Sequence, residues 1–265
     1  MEATILFFGD IVGRPGREAV AEALPELRKQ YAPDLVLANL ENVTHGRGVL
    51  PKHVQELMNL GIDAFTAGDH LWKFKEILPE LDRPNIPIVR PANYPKTVPG
   101  KRYLDIIVKG KRVRILSLIG RTFMHAPVDS PFAVLNEILA VQPLPDAVIL
   151  DVHAEATSEK RALAEYAAGR VQLQVGTHTH VPTADAQILP NGTAFITDLG
   201  MCGPTDSSLG AEKGEAIKGF LTGLPWNYTV AEGMCEIGAV IATISLDHTP
   251  AQRIEHIRRF SYSTV

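Results

Sequence analysis

The sequence predicts an α/β fold in which two packed sheets carry helices on their outer faces. Two observations lead there. Short apolar runs rich in Val, Ile and Phe alternate with helical patterns through the first third, and after residue 180 the texture changes to strands joined by turns. The composition agrees: 265 residues, 45% hydrophobic and 21% charged, suffice for a large core without disulfide support. There is no internal repeat, low-complexity tract or linker, so residues 1–265 are expected to form a single domain.

In chain order, Thr4–Phe8 is the first expected strand. Gly16–Tyr31 follows as a helix, with Val20, Leu24, Leu27 and Tyr31 at spacings of three and four and Pro15 near its start. Leu35–Ala38 is the next strand; Pro51 opens a helix carrying Val54, Leu57 and Met58; Ala64–Ala67 is the third strand. Strand, helix, strand, helix, strand is the signature of βαβ units around a sheet covered on both faces. The Pro-rich stretch 84–99 reads as a surface loop. Arg112–Leu118, Ala147–Val152 and Val171–Val175 are further buried strands. Ala186–Leu189, Thr193–Thr197, Thr229–Ala231, Glu236–Leu246 and Arg253–Phe260 complete the series, with an antiparallel character and with apolar strand surface that suggests a homo-oligomer.

Charge and cysteine usage exclude several classes. A net charge of −4 argues against a broad basic face for duplex nucleic acid. Cys202 and Cys235 are far apart and outside any CxxC pair, so neither a thiolate zinc site nor a disulfide framework is expected. The N-terminal run lacks the basic region of a signal peptide, and no segment reaches the roughly 20 apolar residues of a membrane span. A cytoplasmic protein is the expectation.

Polar residues gather where the expected strands end. Asp10, Glu41-Asn42, Asp69-His70, His153 and His178-Thr179-His180 each follow an apolar run. In a parallel sheet the carboxyl ends of strands share one edge, where ligands bind. Singly, Asp10, Asn42 and Asp69 read as turn or cap residues and His153 as a hydrogen-bonded structural histidine. Together they do not, because clustering so many carboxylates and imidazoles without a cation is costly. Nitrogen and oxygen donors without cysteine favour manganese, iron or zinc. Seven donors suit two cations about 3.5 Å apart, the arrangement that clamps both oxygens of an in-line displacement at phosphorus.

These segments resemble the ordered motifs of calcineurin-like metallophosphoesterases. Gly9-Asp10-Ile11-Val12-Gly13-Arg14-Pro15-Gly16-Arg17, Arg90-Pro91-Ala92-Asn93, the stretch from Asp151 to Lys160 and Gly176-Thr177-His178-Thr179-His180-Val181 further resemble the bacterial YmdB-type branch, described as 2′,3′-cyclic-nucleotide 2′-phosphodiesterases. The likeness extends from the first strand to at least Ala231-Glu232-Gly233. It implies a four-layer α/β/β/α sandwich and a phosphodiesterase of small diesters or nucleotides, with RNA ends as a further partner.

The resemblance assigns Asp10, Asn42 and His180 to a first metal, Asp69, His153 and His178 to a second, and Glu41 to both. Iron is the first expectation for the pair, with manganese or zinc as alternatives. A hydroxide bridging the metals would attack phosphorus, and His70 would be the general acid. One position departs from the family pattern: Asp69 stands where Asn is usual. With two divalent ions and a hydroxide, two carboxylates leave one net positive charge and three leave none. Asp69 is therefore expected either to select a more highly charged state, such as mixed-valence iron, or to slow the enzyme.

Other residues have open readings. Arg121 is a phosphate contact or a surface ion-pair partner, His45 a substrate contact or a solvated loop residue, and Gly13–Arg17 an anion site at a helix start or a tight turn. Asp151, Asp185 and Asp198 either orient metal-bound imidazoles or cap turns. His53, His125, His248 and His256 have no company suggesting ligation. Two other functions fit the same residues: a phosphomonoesterase or nucleotidase of the superfamily, and a slow-turnover nucleotide-binding regulator.

Overall fold

The structure is a computed structural model and describes residues 1–247 and 249–262, so His248 lies outside the described residues. Strand β1 (Glu2–Ile11) leads into α1 (Gly13–Tyr31), β2 (Leu35–Asn39), α2 (Pro51–Asn59) and β3 (Ala64–Thr66). Next come α3 (Leu78–Leu81), β4 (Ile88–Val89), β5 (Leu104–Val108), β6 (Lys111–Ile119), α4 (Pro131–Leu139), β7 (Ala147–His153), α5 (Thr157–Ala167) and β8 (Leu173–Thr177). The rest comprises β9 (Gln187–Ile188), β10 (Ala194–Phe195), β11 (Met201–Pro204), α6 (Lys213–Thr222), β12 (Met234–Ser245) and β13 (Arg253–Tyr262). The strands and helices expected in the first third are all present.

Among the described residues the strands form two mixed sheets, ordered β13-β12-β11-β1-β2-β3-β4 and β5-β6-β7-β8-β10-β9. In the first, β1 to β4 are parallel and β12 pairs antiparallel with β1 and β13. In the second, β6, β7, β8 and β10 are parallel, with β5 and β9 antiparallel at the edges.

The alternation along β1 shows how the layers stack. Ile5 and Phe7 enter a cluster with Ile115, Ile149 and Val175 of the other sheet, while Leu6 and Phe8 pack with Val20, Leu24 and Leu27 of α1. On the opposite side Leu150 and Val152 meet Leu135 of α4 and Leu163 of α5. The architecture is thus the α/β/β/α sandwich that the resemblance implied. Burial on both faces is why these strands read as continuous apolar runs. None of the helices among the described residues is long and apolar enough to cross a membrane.

Several expectations are corrected. Thr229–Ala231 is not a strand; Val230 makes an isolated bridge to Ala211. The stretch 84–99 contains β4 and buries Arg90, Ala92 and Asn93, the Arg90 guanidinium donating to the carbonyls of Pro91, Pro95 and Gly100. The change of texture after residue 180 does not separate the sheets. β12 and β13 join the first sheet, whereas β10 extends the second in parallel. The most exposed apolar side chains of that half lie on α6 and just after it, at Phe220, Leu221 and Leu224, rather than on its strands.

Candidate metal centre

The strand-end residues converge from both sheets, not from one sheet edge. Asp10 in β1 lies opposite Asn39 at the end of β2, which lies opposite Thr66 of β3; Glu41-Asn42 and Asp69-His70 follow those strands directly. From the second sheet, His153 ends β7 opposite Thr177 of β8, and His178 to His180 follow. The seam beneath is polar. Asp151 of β7 accepts hydrogen bonds from Asn39 and Thr66 of the first sheet and from Thr177 of the second, joining the two under the site.

Glu41, Asp69, His153 and His178 each offer a donor atom within 4.8 Å of the others. Glu41 Oε1 is 3.1 Å from His70 Nδ1 and 3.2 Å from His153 Nε2, and its Oε2 accepts from the His70 backbone N–H. Asp69 Oδ1 lies 3.4 Å from His153 Nε2 and 4.0 Å from His178 Nδ1. Beside this group, Asn42 Nδ2 is 3.0 Å and Asp10 Oδ1 3.9 Å from His180 Nε2. Asp10 Oδ2 accepts from the His178 N–H.

Each of the three imidazoles is anchored by one ring nitrogen and presents the other to the cluster. His153 Nδ1 contacts Thr177 Oγ1 at 2.9 Å, and that hydroxyl donates onward to Asp151. His180 Nδ1 donates to the Leu209 carbonyl at 2.9 Å. His178 Nε2 lies 3.4 Å from Glu155 Oε2. The Thr177 hydroxyl and the Leu209 carbonyl behind the His153 and His180 rings fix their tautomers and aim a lone pair forward, as metal-binding histidines are held, and the Glu155 carboxylate stands behind the third ring.

Three observations test whether a cation fits. Asp10 Oδ1 and Asp69 Oδ1 are buried without a hydrogen-bond partner, a costly condition that a cation relieves. A Cβ on Gly68 would lie 2.2 Å from both Glu41 Oε2 and His153 Nε2, so this glycine keeps the space between donors open. His178 and His180 adopt φ of 96° and 64°, a strained backbone that side chains other than Gly rarely take and that clusters at functional sites. The donor set and its geometry fit metal ions.

The electrostatics of the protein groups alone are unbalanced. Burial raises the Asp10 carboxyl to about 6, opposed only in part by His180 and His153. Burial would raise Glu41 and Asp69 too, but His153 and His70 outweigh it and hold both below the usual carboxylate range. Burial likewise opposes the protonation of His153 and His70, yet their carboxylate neighbours raise His153 well above its ordinary value and His70 to about 9. His178, desolvated and facing His153, is pushed down to about 3.

A cavity of about 220 Å³ opens beside the cluster, with Glu41, Asn42, His70, His178 and His180 on one wall. Other sequence candidates lie elsewhere or do other work. Arg14 pairs with Glu232 and Arg17 with Glu56, so the helix start at Gly13–Arg17 is a packed turn. A Cβ on Gly16 would lie 2.2 Å from the Cys202 carbonyl oxygen. The Arg121 backbone N–H is held by Glu159, and the residue itself is exposed. Asp185 caps Thr183 and Thr197, and Asp198 binds Lys160 and Thr179 rather than an imidazole. Asp151 reaches His153 through Thr177. His53 bonds Thr44, His256 bonds the Leu199 carbonyl, and His125 lines a second pocket with Asp69 and Phe123.

Sequence reasoning gave no role to Gly68, Thr177, Glu155 or the Leu209 carbonyl. Glu155 and Thr177 lie inside motifs already singled out, whereas a carbonyl leaves no trace in residue type.

Comparison with known proteins shows the family and the fold. The family profile described as YmdB-like protein matches residues 6–257. A Bacillus subtilis (strain 168) protein named 2′,3′-cyclic-nucleotide 2′-phosphodiesterase is 46% identical over 255 residues, covering 96% of each chain. A crystal structure of a hypothetical protein from Thermus thermophilus superposes with a TM-score of 0.91 at 39% identity, covering 97% of this chain and 99% of that one. A Mycoplasma pneumoniae structure described as a novel phosphatase gives 0.92 at 34% identity, covering 98% and 94%. Haemophilus influenzae NAD nucleotidase shares the fold, with a TM-score of 0.61 at 17% identity over 99% of this chain and 56% of that one. The profile match across nearly the whole sequence, with the 46% identity, shows that this chain belongs to the YmdB-like family.

Proposed function

We propose that this chain is a dinuclear-metal phosphodiesterase that opens 2′,3′-cyclic nucleotides and related small phosphodiesters. The observation that carries the reading is the gathering of seven oxygen and nitrogen donors at the strand ends of both sheets, four of them (Glu41, Asn42, His178 and His180) lining one cavity, with Asp10 Oδ1 and Asp69 Oδ1 buried and unpartnered. The name of the 46% identical relative supports the substrate class.

Asp10, Asn42 and His180 would hold one cation, Asp69, His153 and His178 the other, with Glu41 between them. Such cations supply positive charge for the phosphate and bring the pKa of water down to about 7. The remaining work falls to the chain. His70 stands at the cavity wall with Nδ1 held by Glu41, which leaves Nε2 to face substrate. There it donates a proton to the ribose 2′ oxygen as the bond from phosphorus to that oxygen breaks, and water supplies the new oxygen of the 3′-phosphate. Oxygen and nitrogen donors without cysteine fit iron, manganese or zinc, with iron the first expectation from the family resemblance. The chain acts as one domain in this reading, because each sheet supplies only part of the donor set. The same chemistry extends to RNA ends bearing a cyclic phosphate. Two unpaired, buried cysteines, Cys202 and Cys235, suit the cytoplasm.

The test is incubation with 2′,3′-cyclic AMP and added manganese or iron(II), resolving 3′-AMP from 2′-AMP and free phosphate. Metal-dependent 3′-AMP formation, lost on chelation, is expected. Phosphate release from nucleoside monophosphates with no diester opening would assign a nucleotidase instead. Tight nucleotide binding without turnover would assign a regulator.

A further inference from the structure

The cavity has a second wall that the metal chemistry does not use. Trp226 and Tyr228 are stacked there, ring centroids 6.1 Å apart and planes 28° apart, and the Arg47 guanidinium carbon lies 4.6 Å from the Tyr228 centroid. Two glycines make room for these rings. A Cβ on Gly219 of α6 would lie 2.2 Å from Trp226 Cδ1, and one on Gly46 would lie 2.3 Å from Tyr228 Cε1. The Tyr228 hydroxyl, in the lining of the same cavity, is buried without a hydrogen-bond partner, so an occupant that offers it one relieves a cost of the kind that a cation relieves at Asp10. Phe220, 83% exposed, lines the same cavity. A solvent-facing cluster of large apolar side chains beside polar donors marks a binding surface.

We infer that this aromatic wall is a nucleobase subsite, in which the base of a ribonucleoside 2′,3′-cyclic phosphate stacks against Trp226 while its phosphate meets the metal donors. This rests on the phosphodiesterase reading and adds to it the part of the substrate that the donors do not recognise. Planar aromatic faces accept any base, because every base has a π-face. Outside the metal donors the cavity's polar side chains are Arg47, His70, Ser208 and Tyr228, and the aromatic wall itself distinguishes bases by ring area. Purine cyclic nucleotides are expected to bind more tightly than pyrimidine ones.

The test compares kcat/KM for 2′,3′-cyclic AMP with kcat/KM for glycerol 1,2-cyclic phosphate, which keeps the five-membered cyclic diester and lacks the base. Trp226→Ala is expected to lower this ratio roughly 5- to 150-fold, the range for losing one base–aromatic stack, and Trp226→Phe to restore most of it. Turnover of the glycerol diester reports that each variant is folded. An unchanged ratio in Trp226→Ala overturns the assignment, as does the same drop in Phe123→Ala, which alters the second pocket instead. If the parent chain turns over neither diester, the phosphodiesterase reading fails, and calorimetric titration then judges the subsite separately. Adenosine 3′-phosphate binding more tightly than glycerol phosphate, with the difference lost in Trp226→Ala, supports the subsite; equal affinities overturn it.

Discussion

Lys160 Nζ lies 2.6 Å from Asp198 Oδ2, both side chains buried, beneath the turn that carries His178 and His180. Lys160 also donates to the Thr177 carbonyl, and Asp198 accepts from the Thr179 hydroxyl at 2.8 Å. Positive φ at a residue other than Gly costs about 1–3 kcal/mol. This ion pair therefore holds two strained histidines from below, joining α5 to the segment before β11.

Removing one partner leaves the other buried and charged. Lys160→Met is expected to lower unfolding stability by about 3–5 kcal/mol, with Lys160→Met/Asp198→Asn recovering a substantial part. Denaturant unfolding measures both. Metal affinity of the single variant should fall about 10- to 100-fold because the turn loses its support. An unchanged affinity would assign the pair to stability alone.

Gly68 lies outside the left-handed region, so alanine is tolerated by the backbone and intrudes only on the donors. Gly68→Ala is expected to fold normally, to lose bound metal by elemental analysis, and to lose about 10²-fold or more in turnover. Full metal occupancy in this variant would contradict the placement of the ions between Glu41 and His153.

His70→Ala is expected to lower kcat by about 10²–10⁴-fold while metal content stays at the parent level. Steady-state kinetics on a cyclic nucleotide with parallel metal analysis checks this. Parent-like turnover would remove His70 from the proton-donor role.

Asp69→Asn removes one negative charge from the donor set. The expected outcome is a shift of retained metal toward divalent ions and a higher kcat/KM, read by elemental analysis, spectroscopy of any iron present and diester hydrolysis. If metal content and turnover are both unchanged, the carboxylate has no effect on either.

His53, which is not among the metal donors, gives a pH prediction. Burial, with Arg17 nearby, pushes this imidazole down to about 4, and its Nδ1 contacts Thr44 Oγ1 at 2.7 Å. The folded state disfavours the proton and the unfolded chain binds it at about 6.5. His53 therefore contributes stability above pH 6.5 that is lost progressively as pH falls toward 4. The stability difference between the parent and His53→Asn should shrink across that window, as measured by denaturant unfolding. A difference independent of pH would refute it.

Much of the fold was legible because burial on both faces gives β1, β2 and β7 unbroken apolar runs, and because α1 carries a clear periodicity. β4 was hidden for a physical reason. Its two residues sit in a proline-rich stretch whose buried Arg90 is satisfied by main-chain carbonyls, and no sequence pattern records such bonds. Val230 was misread because an isolated apolar β-branched residue looks like a strand while pairing with a single residue. α6 passed unnoticed, since its exposed Phe220 and Leu221 break the amphipathic pattern.

By itself the sequence determined which donors gather, since Asp10, Glu41, Asn42, Asp69, His153, His178 and His180 each follow an apolar run, and the chain direction of a strand fixes where its end lies. Only the tertiary structure decided that they come from two sheets joined through Asp151. It also decided which ring nitrogen each histidine presents, because the Thr177 hydroxyl, Glu155 and the Leu209 carbonyl reach the rings through space. The aromatic wall belongs to that second kind. Trp226 and Tyr228 are far from the donors in sequence, and what brings them to the cavity is the absence of side chains at Gly46 and Gly219.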